Sequence, residues 1–420
     1  MRQPDYNRRV AVTGLGVISP VGNDTASAWD ALLNGRSGLG QITYFDVSRY
    51  AAKAAGEVKG FNPLDWLDVK QTRRTESSTQ FGVAAAKQAV ADSGFEINDE
   101  NRTEVGVVFG CGAGGQQLMI DNHHLLEQKG PRSVTPTFIA YGLVDSASGL
   151  IAIETGAIGH NVCIASACAT GTHNVAEGAE AIRRGDCIAV ISGSTESPLL
   201  EVAHAGFGNM RGLGMPRPGE PLTTVSRPFD RTRDGFVLGE GAGSLFLEDL
   251  ELAKARGAHI YAEVVGYGSA ADGWDMIQPV AHGSGSARAM KMALDRRGVP
   301  ADEVDLINPH GTSTPMGDVR EAEAIWHVFG DHTPNIAISA TKSLTGHMMG
   351  AAGAFEAFAT VMSIAEQTIT ATLNYRDPDP DCDLAVATET HRATIRYGLS
   401  NNIGLGGHNG AVIFKRYDGD

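Results

Sequence analysis

Cys168 closes an apolar run, NVCIASA, and precedes ATGTHNVAEGAEAIRRG, a sequence of helical character. The pattern predicts a strand-to-helix elbow with the sulfur at a helix N-terminus. Free backbone N–H groups and the helix dipole stabilise a thiolate there, and a lowered pKa makes a nucleophile. Taken alone, a cysteine in such a place is a packing residue more often than a reactive one. The second half of the chain supplies the company a reactive one needs. PHGTST puts His310 at the end of an expected strand, followed by hydroxyls at Thr312, Ser313 and Thr314. KSLTGH puts Lys342 and His347 at a second strand-to-helix elbow. SNNIGLGGHNG (400–410), just before the last strand AVIFKRY, is a glycine loop that can bring backbone N–H groups up to a substrate, as an oxyanion hole requires.

Other motifs carry less. GCGAGG (110–115) satisfies GxGxxG after an expected strand, but no acidic residue stands about 20 positions on, since Glu127 is too close. A tight glycine turn is the better reading, and nucleotide binding is not expected. His123, His124 and His160 lack metal-ligand spacing, so no metal site is expected. Cys111, Cys163, Cys187 and Cys382 read as buried or incidental thiols.

The elements that must position this chemistry come in two similar series. RRVAVTGLGVIS has a counterpart in IYAEVVGYGSAAD, near His259, and TEVGVVFGCG (103–112) in VDLINPHGTS (304–313). Residues 164–194 and 338–367 each start on a short strand and pass a Thr-Gly pair, Thr170-Gly171 or Thr345-Gly346. Each then enters a helix dense in Ala and Gly. The expectation is an α/β fold of two duplicated halves, 1–258 with the cysteine and 259–420 with the His/Lys/His set and the glycine loop. Residues 74–94 read as an amphipathic helix stopped by Gly94, and 206–234 as a long loop.

A chain of 420 residues can bury a large core without disulfides or metals. Its 52 glycines exceed the roughly 29 of an average composition and mark many tight turns. A net charge of −15 speaks against general nucleic-acid binding but leaves room for a local basic patch. Five cysteines without a CxxC pair fit a reducing cytosol. The N-terminus MRQPDYNRR has no apolar signal region, and the uncharged stretch Thr155 to Ala176 holds His160, Asn161 and several glycines, so no membrane span is expected. These features point to a cytoplasmic protein.

With these motifs assembled, the sequence resembles the β-ketoacyl-acyl carrier protein synthases, the elongating condensing enzymes of type II fatty acid synthesis, and most of all their synthase II branch. SACATG, RPFDRTRDGFVLGEGAG (227–243), HGTST, TKSLTGHMMGAAG and GLGGHN carry the resemblance, which runs over essentially the whole chain. It implies a thiolase-like fold of five layers, αβαβα, and a homodimer. It implies that Cys168 takes an acyl group as a thioester and that His310 and His347 act on malonyl-acyl carrier protein. Loss of CO2 leaves an enolate that attacks the acyl-Cys168 carbonyl. By the same resemblance, Lys342 supports the site, Glu356 stands at the family's acidic position, and Thr312 and Thr314 contact the pantetheine arm. The backbone N–H groups of Cys168 and Ile403 hold the oxyanion. No cofactor is implied, because the phosphopantetheine arm belongs to the carrier protein. That acidic partner would dock on Lys70, Arg73, Arg74, Arg132 and Arg211.

Certain positions depart from the family. Its glycine loop usually carries two phenylalanines, where this chain has Ile403 and Leu405. Ala113 replaces a common isoleucine of the acyl pocket, Phe207 is retained, and the second gating loop reads ADGWDMIQP, with Trp274 and Asp275. The resemblance therefore also admits a ketosynthase subunit of a specialised polyketide or modified fatty acid pathway, in a homodimer or a heterodimer. Rival readings lack their residues. A thiolase needs a second cysteine, absent from 403–410. A chalcone-type enzyme pairs cysteine with His and Asn, against His347. A silent chain-length partner lacks the nucleophile.

Overall fold

The computed structural model describes residues 3–419. RRVAVTGLGVIS contains the strand β1 (Val10–Ile18), buried at every position. A strand apolar on both faces belongs in the middle of a layered fold, and β1 lies there. The other strands of its sheet are β2 (Val105–Cys111), β3 (Asn161–Val162), β4 (Ala189–Glu196), β5 (Gly241–Asp249), β6 (Ala262–Ala271), β7 (Val304–Asn308), β8 (Ala337–Ile338), β9 (Tyr397–Gly404) and β10 (His408–Lys415). The strand order is β8-β7-β9-β10-β6-β1-β5-β4-β2-β3.

This is one five-strand pattern used twice. In β3-β2-β4-β5-β1 the first three strands run parallel and the next two pair antiparallel. In β8-β7-β9-β10-β6 the same sequence of pairings recurs. The two sets meet where Val10–Val12 of β1 pair antiparallel with Ala262–Val264 of β6.

Helices complete the layers. α1 (Ser77–Ser93) covers the outer face of the first set, against β1, β5 and β4. α2 (Thr170–Arg184) and α5 (Ala352–Glu366) lie between the sets and touch both. α3 (Ser284–Asp295) covers β6 and β10 of the second set, and α4 (Pro315–Phe329) packs beside it. The five-layer αβαβα expectation is therefore the fold observed. The Ala- and Gly-rich sequences of the middle layer have a steric cause. A β-carbon on Gly171 would lie 2.3 Å from the Ala354 nitrogen, and one on Gly353 would lie 2.5 Å from the Thr172 nitrogen. The two central helices thus touch backbone to backbone at their N-terminal ends.

The helix expected over 74–94 begins at Ser77, and Gly94, at φ +61°, caps it as anticipated. Its buried positions are too many for a simple amphipathic stripe, because both a sheet and the helix Ser146–Thr155 press on it. The long loop expected over 206–234 is entered by the end of a helix, Glu201–Asn209.

Candidate active site

The chain leaves β3, runs extended to Ser166, and turns sharply at Ala167, whose φ is +50°. A non-glycine residue in this region costs on the order of 1–3 kcal/mol and persists only where its surroundings enforce it. Here Ser166 N–H donates to Thr170 Oγ1 at 2.9 Å, and Asn174 Nδ2 donates to the carbonyls of Ile164 (2.8 Å) and Thr170 (2.7 Å). The 3-10 turn Ala167–Ala169 follows and carries Cys168 directly into α2. The expected elbow is present.

The second elbow faces it. The helical turn Lys342–Thr345 and Gly346 deliver His347, whose backbone N–H donates to Val237 at 2.6 Å and whose carbonyl accepts from Gly239 at 2.9 Å. His347 Nε2 lies 3.0 Å from Cys168 Sγ. His310 follows β7, and its backbone N–H and that of Gly311 donate to the Glu321 carboxylate at 2.6 and 2.7 Å. The rings of His310 and His347 stand edge to face, 5.2 Å apart at 89°. Behind them Lys342 is ion-paired with Glu356, both about 1% exposed. Cys168, His310 and His347 line one cavity of about 300 Å³, together with Phe207, Thr312, Thr314, Ile403 and Leu405. The Thr312 and Thr314 hydroxyls are 3.2 Å apart.

The electrostatics correct one expectation. Burial pushes the Cys168 thiol up to about 11, outweighing the Leu405 N–H that faces the sulfur and the Lys342 charge, both of which favour the thiolate. The helix-start argument holds in sign and loses in size, because Cys168 is only 4% exposed. Burial, reinforced by Lys342, holds His310 and His347 well below the usual histidine range, so both rings are neutral near pH 7. The resting site is a thiol against a neutral imidazole, an arrangement in which His347 Nε2 can receive the proton as the sulfur attacks.

Two placements differ from expectation. The glycine-loop N–H that faces the Cys168 sulfur is that of Leu405 rather than Ile403, two residues earlier. Ala113 is exposed on the turn after β2 and is not part of the cavity lining. Among the expected docking cations, Arg211 is exposed at the cavity mouth, Lys70, Arg73 and Arg132 are exposed elsewhere, and Arg74 is half-buried. None of these five has an ion-pair partner among the described residues. GCGAGG ends β2 and turns at Gly114, φ +70°, into the helix Gln116–Lys129. Among the described residues no cluster of His, Cys, Asp and Glu is suited to a metal, and no helix is long and apolar enough to cross a membrane.

The mouth is framed by two loops tied together. Gly406 N–H donates to Met276 at 2.9 Å, Asp272 N–H to Gly407 at 2.8 Å, and Asn409 Nδ2 to Asp272 Oδ1 at 2.7 Å. Asp275 accepts from the N–H groups of Ile277 and Gln278, each at 2.8 Å, and leaves Trp274 72% exposed.

Sequence reasoning missed three residues that organise the site. Glu321 fixes the His310 backbone. Asn402 links Glu356 to His310. Glu196, which burial pushes up to about 7, accepts from Cys111 Sγ at 3.1 Å, Gly112 N–H at 2.9 Å and Gly350 N–H at 3.2 Å. Only Asn402, inside SNNIGLGG, adjoined a motif that drew notice.

Known proteins show the same pattern. The N-terminal domain of the beta-ketoacyl synthases matches residues 7–253 and their C-terminal domain matches 261–376. The 3-oxoacyl-[acyl-carrier-protein] synthase 2 of Staphylococcus aureus (strain N315) is 42% identical over 98% of this chain and 99% of its own length. That of Synechocystis sp. is 44% identical over 98% of each chain. Among solved structures, a type II PKS ketosynthase bound to the hexaketide, in complex with its acyl-carrier protein, matches with a TM-score of 0.90 at 30% identity, over 99% of this chain and 100% of that one. Two matched elbows, a cysteine against a histidine, and agreement in sequence and fold along nearly the whole length lead to one conclusion: this chain belongs to the beta-ketoacyl synthase family.

Proposed function

We propose that the protein condenses an acyl group, held on Cys168, with malonyl-acyl carrier protein to give β-ketoacyl-acyl carrier protein and CO2. The single observation that carries this reading is the 3.0 Å approach of His347 Nε2 to Cys168 Sγ inside a cavity that His310 also lines. In the first half-reaction His347 takes the thiol proton while the sulfur attacks the acyl thioester. The tetrahedral oxyanion is held by the N–H groups of Cys168 and Leu405. Collapse expels the carrier-protein thiolate, which regains the proton from His347. In the second, malonyl-carrier protein enters along Thr312 and Thr314. CO2 leaves, the enolate carbon bonds to the acyl carbon, and Cys168 departs as a thiolate that takes up one proton from solvent, the proton the overall condensation consumes. Lys342 and Glu356 form the electrostatic support. The chemistry needs no resident cofactor, because the phosphopantetheine arm arrives with the carrier protein.

Acyl carrier protein is thus both substrate and partner, docking on Arg211 at the mouth and on Lys70, Arg73, Arg74 and Arg132. A cytoplasmic homodimer fits this role. A specialised polyketide or modified fatty acid pathway, with this chain as the active subunit, is the second reading. Ile403 and Leu405 favour it, since they line the cavity where the family usually places aromatics.

Intact-mass analysis after incubation with a panel of acyl-carrier proteins tests the proposal. A gain of one acyl group, absent in Cys168→Ala, is the expected result. A folded protein that gains no acyl mass from any donor refutes it.

A further inference from the structure

The hydrogen bonds around His310 decide which of its ring nitrogens carries the proton. Asn402 Nδ2 donates to Glu356 Oε2 at 2.7 Å and faces His310 Nδ1 at 3.4 Å. On its other side Asn402 Oδ1 accepts from the Thr172 hydroxyl. Glu356 Oε1 is taken by Lys342. A carboxylate paired in this way only accepts, so the amide edge turned toward it is the NH2 edge. That group has two hydrogens. One serves Glu356 and leaves the second for His310 Nδ1. A ring nitrogen that meets a donor presents its lone pair, so in the neutral ring the proton sits on Nε2. Nε2 has no partner among the described residues, and its ring lines the cavity. The preceding residue completes the clamp. Asn401 Nδ2 donates at 2.7 Å to Glu321, the carboxylate that holds the His310 backbone.

We propose that Asn402 is a positioning residue that fixes His310 as the Nε2–H tautomer and so makes it a hydrogen-bond donor to the malonyl thioester oxygen, not a base. The inference rests on the condensing reading above and assigns the two histidines separate duties within it. When the malonyl group loses CO2, the bond between its carboxylate carbon and C2 breaks. The electron pair moves into the enolate, onto the thioester oxygen. No proton changes hands in that step, so a donor is required and a base is not. The charged and titratable groups facing His310 agree with a neutral ring. Lys342 and His347 both oppose a second proton on it, Glu321 engages its backbone only, and Glu356 reaches it through Asn402. His347, whose Nε2 faces the thiol, is the ring left for proton transfer.

Nitrogen NMR of the intact protein carrying 15N-histidine tests this, with the His310 signals assigned by their loss in His310→Ala. The expected native pattern is a protonated Nε2 and a bare Nδ1. Asn402→Asp replaces the donor by an acceptor and is expected to move the proton to Nδ1. Malonyl-carrier protein decarboxylation should then fall about 100-fold, the scale of losing one oxyanion donor, while acyl mass gain on Cys168 continues. A native His310 protonated on Nδ1 overturns the proposal. An Asn402→Asp protein that keeps both the Nε2–H pattern and full decarboxylation overturns it as well. Should Asn402→Asp fail to fold, the native spectrum decides. A native protein that takes no acyl group refutes the condensing reading instead, and the tautomer is read independently of it.

Discussion

Lys342 and Glu356 form an ion pair with both side chains about 2% exposed, behind the rings of His310 and His347. Removing one partner of such a pair leaves an uncompensated buried charge, which costs on the order of 3–5 kcal/mol. Glu356→Ala should lose stability on that scale in urea titration. Replacing both at once, as Lys342→Met with Glu356→Leu, should recover much of it without restoring activity. If the single variant is as stable as the parent, the pair does not stabilise the fold around the two rings.

The two histidines should separate kinetically. His347→Gln removes the group facing the thiol and should slow acylation of Cys168 by about 10²–10⁴-fold, the range of a general base. His310→Ala should leave acylation near normal and suppress malonyl decarboxylation. Single-turnover mass analysis of acylation, run beside CO2 release, reads both. Equal losses in both steps for both variants would refute the division.

Cys168 should behave as a thiol pushed up to about 11. Its alkylation by iodoacetamide, followed on the Cys168 peptide, should keep rising with pH beyond the ordinary thiol value of about 8.5. A plateau near neutrality would show a preformed thiolate. The same shift has a stability consequence. The folded state keeps its proton to higher pH than the unfolded chain, so this contribution is full below about 8.5 and declines as pH rises toward 11. Cys187, pushed up to about 11 by burial, and Cys382, to about 12, add in the same direction. Melting temperature should therefore fall across that alkaline window.

Gly353→Val forces a side chain against the Thr172 backbone, where even a β-carbon would sit 2.5 Å from the nitrogen. Overpacking of this kind costs about 1–3 kcal/mol. Because Thr172 lies one turn from Cys168, acylation should suffer more than the stability loss alone explains. Mass gain per folded molecule, with folding followed by circular dichroism, checks it.

Arg211→Glu should raise KM for acyl carrier protein about five-fold, the scale of one rim ion pair, with kcat nearly unchanged. The effect should shrink as salt is raised. No change at low ionic strength would remove Arg211 from the docking surface.

Much of the site was legible because it is local. An elbow announced by an apolar run, a small residue and a helix can be read from neighbours in sequence, and Cys168, His310, Lys342 and His347 all sit at such places. The repeated five-strand series was legible for the same reason. What sequence could not supply is non-local. The Cys168 thiol is governed by burial, which depends on everything packed around it and reverses the effect expected of a helix start. Leu405 rather than Ile403 faces the sulfur because the strand β9 ends at Gly404 and the chain turns only beyond it. Ala113 misses the cavity because the glycine turn carries it outward. Asn402 acts through Glu356, Thr172 and His310, three residues scattered over some 185 positions of sequence.

The seam between β1 and β6 acquires a meaning from this division of labour. Cys168 hangs from one five-strand set and the histidines from the other, and three residue pairs, Val10–Val12 with Ala262–Val264, stitch the two sets together. A slip of one residue along that seam would carry one set past the other by about 3.3 Å. That stride is longer than the whole gap between His347 and Cys168. The alignment of two strands whose paired residues lie outside the cavity lining thus works as the ruler of the chemistry.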